Sequence, residues 1–202
     1  MRATRMSLCG AVLILLLAGC VPKTVTLQPG ETSWGDAQEG GVDAWSVWVQ
    51  EVRDLRPNAA EGAKVGLFHP RLQAEPQTVY VKPLPAEYVR NELSRFLLHR
   101  GLEASEQRRA KLLLRLELTE FSMAEDPGSV MDTITVRVEY TVHFLNQQQV
   151  ELGSLRLEGS GIIQTPVSVP RKTQQAFRDA VADTFRTLAK NEVFGRALSQ
   201  VR

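Results

Sequence analysis

The residues most committed to chemistry lie at the start of the chain, where Leu17-Ala18-Gly19-Cys20 closes an apolar run. Arg2 and Arg5 precede that run, Leu8 to Leu17 form its core, and Ala18-Gly19 supply the small side chains that a signal peptidase accepts beside the scissile bond. A cysteine directly after such a bond is the pattern of bacterial lipoprotein processing. The expected chemistry is diacylation of the Cys20 thiol, cleavage between Gly19 and Cys20, and acylation of the new α-amine. Residues 1–19 then form a lipoprotein signal peptide. The run breaks short of the roughly 20 apolar residues that a membrane-spanning helix needs. Two or three acyl chains hold far more firmly than one, at about 0.8 kcal/mol per buried methylene. Val21, rather than Asp, follows Cys20. By the sorting rule of enteric bacteria this favours the outer membrane, with the protein facing the periplasm.

Other constellations carry weaker chemistry. His69, His99 and His143 are the three histidines, and none has a partner at a metal-ligand spacing. Gly159-Ser160-Gly161 lacks the G-x-S-x-G spacing of a nucleophile elbow and lies in a strand pattern. Ser154 and Ser160 have no base nearby in sequence, and Gly62 and Gly66 do not open a helix that could cradle phosphate. No catalytic residue, metal site or cofactor is expected, and the chain reads as a non-enzyme. Arg53, Asp54 and Arg56 form the densest polar cluster beside a core strand. In one reading Asp54 caps the loop or pairs with an arginine. In the other, the guanidinium pair binds an anionic group of peptidoglycan or a lipid headgroup.

Composition narrows the partners. Removing 19 of 202 residues leaves 183, enough for one self-sufficient domain. Losing Arg2 and Arg5 turns 24 basic against 23 acidic side chains into a net charge of −1, which gives no field to gather nucleic acid or anionic lipid. Cys9 leaves with the signal and Cys20 becomes a thioether, so no disulfide or free thiolate is expected.

These residues need elements to position them. Residues 20–44, with Pro22, Pro29, Gly30, Gly35, Gly40 and Gly41, read as the lipidated cysteine and a flexible tether. Trp34 is a candidate interfacial contact within it, whereas Trp45 and Trp48 are expected in the core or at a sheet edge. Trp45 to Val52 reads as the first strand, and Lys64–Phe68 and Thr78–Val81 as short strands that can pair as a hairpin. Tyr88, Val89, Leu93, Phe96 and Leu97 make the apolar stripe of a helix that starts at Pro85 and ends at Gly101.

Three strands follow. In Lys111–Phe121, Leu112, Leu114, Leu116 and Leu118 oppose Arg115, Glu117 and Thr119. In Asp132–Leu145, the run from Ile134 to Phe144 alternates with Thr135, Arg137, Glu139, Thr141 and His143. Such strict alternation predicts an antiparallel sheet with one buried and one wet face. Val150–Ile163 slips phase at Gly153-Ser154, as at a bulge. A long helix from Thr173 carries Phe177, Val181, Phe185 and Leu188, and Asn191 loosens it before Val193. The expected fold is a single α+β domain over 45–202. It is a two-layer sandwich of a mainly antiparallel sheet on two helices, in the order β-α-β-β-β-α.

The lipobox at Cys20, the element Val52-Arg53-Asp54-Leu55-Arg56, the helix ending at Gly101, the three alternating strands and the closing Ala180-Val181-Ala182-Asp183-Thr184 together resemble the YajG-like family of bacterial lipoproteins. The resemblance spans nearly the whole chain. It implies an outer-membrane lipoprotein of no established chemistry, and it brings no catalytic residue. The expected function is binding of another envelope component, a protein or peptidoglycan, with Arg115, Glu117, Arg137 and Glu139 on a wet face that could dock it. The alternative is carriage of a lipid or small ligand in a pocket between sheet and helices.

Overall fold

The computed structural model describes residues 23–28, 46–69, 75–166 and 170–201. The β strands are β1 (Lys23–Thr26), β2 (Val47–Asp54), β3 (Lys64–Phe68), β4 (Gln77–Lys82), β5 (Leu112–Pro127), β6 (Asp132–Leu145) and β7 (Glu151–Thr165). The helices are α1 (Pro85–His99), α2 (Pro170–Lys190) and α3 (Glu192–Gln200). All seven strands join one mixed sheet in the order β1-β4-β3-β5-β6-β7, and β2 lies beside the first half of β5. The three helices pack against one face, so the α+β sandwich expected from the pattern is the architecture observed.

The centre is the antiparallel meander β5-β6-β7. Its alternation holds because one face is dry: Ile134, Val136, Val138, Tyr140, Val142 and Phe144 are all buried. β5 keeps Leu112 to Leu118 on that face and then changes parity, burying Phe121 and Met123. A bulge does this: Leu118 faces Tyr140 and Glu120 faces Glu139, which leaves Thr119 as the extra residue. A second bulge leaves Leu152 unmatched, one residue before the expected slip. β2 and β3 both run parallel to β5, β2 along Leu112–Leu118 and β3 at Gly66↔Met123. Gly66 is obligatory there, because a Cβ would lie 2.0 Å from the Met123 carbonyl oxygen.

Gly159 and Gly161 set the spacing between layers. A Cβ on Gly159 would sit 2.1 Å from the Ala180 carbonyl oxygen, and one on Gly161 2.0 Å from that of Ala176. α2 answers with alanines one turn apart, so its backbone lies directly on β7. Elsewhere the interlayer space is filled by stacked rings, Phe121 on Phe177 at 4.9 Å and Phe96 on Phe185 at 5.3 Å. One polar pair sits inside: the Tyr140 hydroxyl donates to Thr184 Oγ1 at 2.7 Å, and Thr184 donates onward to the Val181 carbonyl. α1 ends as its sequence requires. Gly101 has φ +64°, and Leu102 N and Gly101 N donate to the Leu97 and Leu98 carbonyls.

Two expectations change. The segment 20–44 is not all tether, because Lys23–Thr26 pairs in parallel with β4 and both Val25 and Leu27 are buried. Alternating Val25 and Leu27 fill the end of the core beside Val79 and Val81, and that burial overrides the neighbouring prolines and glycines. The single C-terminal helix is two. Asn191 leaves helical geometry at ψ 130° and its side chain accepts from Val193 N, capping α3. Lys64–Phe68 and Gln77–Lys82 do form an antiparallel pair.

Candidate functional site

Cys20, the Gly19–Cys20 bond, Arg2, Arg5, Trp34 and Trp45 lie outside the described residues. Trp48 is half-buried against Ala104, Ala110, Leu113 and Leu145. This small second cluster lies on the sheet face opposite the helices. The segment after α1 folds over that end, held by Val47 N to the Leu102 carbonyl at 2.7 Å and Ser46 Oγ to the Arg109 carbonyl at 2.8 Å.

Arg53, Asp54 and Arg56 separate in function once they fold. Arg56 is buried, and its guanidinium grips Asp54 twice, Nε to Oδ1 at 2.8 Å and Nη2 to Oδ2 at 2.7 Å. Nη2 also reaches the Gly62 carbonyl at 2.7 Å, and Nη1 reaches those of Lys64 and Phe121 at 3.1 and 3.5 Å. Five donors meet five protein acceptors, which uses the whole guanidinium. The pair is a clasp joining the β2 exit, the turn before β3 and the middle of β5. Arg53 stays at the surface, paired with Glu51 at 2.9 Å.

The open face of β5-β6-β7 gathers what the sequence left scattered. Because this face is every second residue, Arg115 and Glu117, Arg137, Glu139 and His143, and Arg156 and Glu158 share it across three strands. Glu139 is the hub, 2.8 Å from Arg156 Nη2 and accepting from Thr119 Oγ1, the bulge residue, at 2.8 Å. The bond from Arg156 and then that from Thr119 hold its carboxyl below the usual carboxylate range. His143 lies between two carboxylates, Nδ1 at 3.2 Å from Glu151 and Nε2 at 3.5 Å from Glu117. Beside Glu139, a depression of about 420 Å³ is lined by Glu120, Arg137, Arg156, Glu158, Ser160 and Asp183. Its charges alternate in sign, so it fits mixed polar surfaces better than a single anion or cation.

One group escaped the sequence reading. Glu92 is only 3% exposed, inside the apolar stripe of α1 between Tyr88 and Phe96. Burial raises its pKa, against the pull of Arg95 at 3.2 Å and of Arg178. The Tyr88 hydroxyl one turn earlier is also buried, and burial pushes its pKa up. A carboxylate at a stripe position was the available signal. His69 and His99 are exposed. Among the described residues no group of three His, Cys, Asp or Glu is placed to hold a metal ion, and no helix is long and apolar enough to cross a membrane.

No family model matches the chain, and no curated protein matches it in sequence. Solved structures do. A Xanthomonas campestris protein of the family DUF330 superposes with a TM-score of 0.60 at 12% identity, over 88% of this chain and 99% of its own. A Helicobacter pylori protein described as a homolog of a neuraminyllactose-binding hemagglutinin gives 0.43 at 11% identity, over 83% and 98%. A minor lipoprotein of Acinetobacter baumannii gives 0.37 at 12% identity, over 73% and 94%. The first is a likeness of fold, and the looser two carry no argument about this chain's role.

Proposed function

We propose that the chain is a non-enzymatic lipoprotein of the outer membrane, anchored by acylated Cys20, whose periplasmic domain docks another envelope component through the open face of β5-β6-β7. The observation that supports this most is the one-sided sandwich. Helices cover one sheet face, while the other presents an ordered lattice of both charge signs on its three longest strands. Interfaces of alternating sign select a partner by register as well as by area. The filled interlayer space, with stacked phenylalanines and α2 directly on β7, weighs against carriage of a ligand between sheet and helices at those places. The resemblance to YajG-like lipoproteins is compatible with this reading, as is Val21 after the cysteine.

Two variants test the halves separately. Cys20→Ala should block acylation and leave the uncleaved protein in the inner membrane; normal fractionation with the outer membrane would overturn the anchor. Arg137→Glu with Arg156→Glu should abolish co-purification of envelope proteins from solubilised membranes without unfolding the domain, since both side chains are exposed. Unchanged co-purification by this double variant would overturn docking on the open face.

A further inference from the structure

We infer that the domain lies against the lipid bilayer through the β5–β6 hairpin tip, with Val130 and Met131 entering the interface of the leaflet that holds the Cys20 anchor. This rests on the reading of Cys20 as acylated and concerns the hairpin tip rather than the charged lattice. The start is the position of β1. Lys23, Val79, Gly66, Met123, Val136 and Gly161 are matched residue to residue, forming one row across six strands. β1 runs opposite to β5, so the chain enters β1 from the end at which β5 turns into β6. Cys20 is three residues before Lys23 and, at about 3.3–3.6 Å per residue, cannot be much more than 10 Å from it. The anchor is therefore tied to this end of the sheet by a leash of two intervening residues.

From the same row, β5 continues four residues to Pro127, about 13 Å at strand spacing, before the tip begins. The tip thus projects at least as far as the anchor can reach. It is also apolar: Val130 is 72% exposed and Met131 45%. Just behind it on the outer face, Leu67 and Ile162 are exposed as well, level with Ala124 and Thr135. The charged lattice lies further from this end, and a polar row of Asp126, Thr133 and Gln164 separates Leu67 and Ile162 from the tip, so the apolar exposure toward the anchor is concentrated at Val130 and Met131. Formal charges here have both signs, Arg171 and Lys172 at the start of α2 against Glu75 and Asp126, and give no strong pull toward anionic lipid. Apolar side chains exposed beside a covalent lipid match the bilayer interface rather than water.

The test uses the mature lipoprotein in vesicles of phosphatidylethanolamine and phosphatidylglycerol. Cysteine is introduced singly at Met131 and, as a control, at Val150, which is 56% exposed in the turn at the opposite end of the meander. Both are labelled with an environment-sensitive fluorophore. Expected is a blue-shifted emission at position 131 that brominated acyl chains quench strongly, with a water-like, unquenched emission at 150, both unchanged by high salt. Equal emission and quenching at the two positions in anchored protein would overturn the docking and leave the anchor standing. Uptake of label by protein with no added cysteine would instead show Cys20 as a free thiol, which overturns the anchor and with it this inference. A blue shift at 131 that brominated lipid does not quench would mean that protein covers the tip, and would overturn the bilayer as its occupant.

Discussion

Replacing Arg56 by Met separates a structural clasp from a ligand-binding arginine. Methionine keeps much of the aliphatic stem but removes five donors, which strands one Asp54 carboxylate and the carbonyls of Gly62, Lys64 and Phe121. The Arg56 side chain is 1% exposed and that of Asp54 23%, so water can relieve the carboxylate only in part. Breaking a buried ion pair from one side costs about 3–5 kcal/mol, because the other charge loses its compensation. Against a total stability of about 5–15 kcal/mol, that is a large share. Urea denaturation of a soluble form lacking residues 1–20 should show the midpoint fall steeply for Arg56→Met. Asp54→Ala should fall similarly, and the double variant by less than the sum. Arg53→Ala, at the surface, should stay within about 0.5 kcal/mol of the wild type. The reasoning fails if Arg56→Met costs less than about 1 kcal/mol, the range of a solvent-exposed pair.

Gly161→Ala should cost at least 1–3 kcal/mol, about the range of overpacking, because its methyl group meets a helix backbone and not a side chain that can turn away; a neutral thermal unfolding shift would contradict the contact. Val138→Asp should destabilise by about 3 kcal/mol or more, whereas Glu139→Thr should cost about 1 kcal/mol or less because the Arg156 side chain is largely exposed; the reverse order in denaturation would mean that the faces are inverted. Glu92 has a raised pKa in the fold, so its contribution is most favourable below the ordinary glutamate value and is lost as pH rises through the raised one. Glu92→Gln should therefore unfold at higher urea than the wild type at pH 7, with the advantage vanishing toward pH 4; a variant less stable at pH 7 would show that the Arg95 pair outweighs burial.

How much of this was readable beforehand depended on whether the signal was local. The alternation in Asp132–Leu145 is a property of consecutive residues, and it placed Ile134 to Phe144 on their proper faces, whereas Leu145, on the expected wet phase, is buried beside Leu113. The parity change in β5, between Leu118 and Phe121, went unread, because a bulge at Thr119 needs the partner strand to be recognised. Parallel pairing of β2 with β5 joins residues about sixty apart and leaves no local mark. β1 was missed because four residues beside prolines and glycines form a weak pattern, and only burial of Val25 and Leu27 makes them a strand. For Arg56, residue type could not decide between a clasp and a ligand site. What decides is whether its donors are already spent, and that depends on the Gly62 and Lys64 carbonyls of the following turn and on that of Phe121 in the distant β5. Gly159-Ser160-Gly161 lacks the spacing of a nucleophile elbow, and the packing purpose of its glycines appears only with Ala176 and Ala180 in place.

The claim that most needs a direct measurement is that the open sheet face, and not the helical face, meets the partner. A photo-crosslinking amino acid at Arg137 or Ser154 on the open face, and at Arg186 or Gln175 on exposed positions of α2, would be activated in intact cells. The account predicts a discrete crosslinked species from 137 and 154, identifiable by mass spectrometry as one envelope component, and none from 175 or 186. Crosslinks from the α2 positions alone, with 137 and 154 silent, would contradict it.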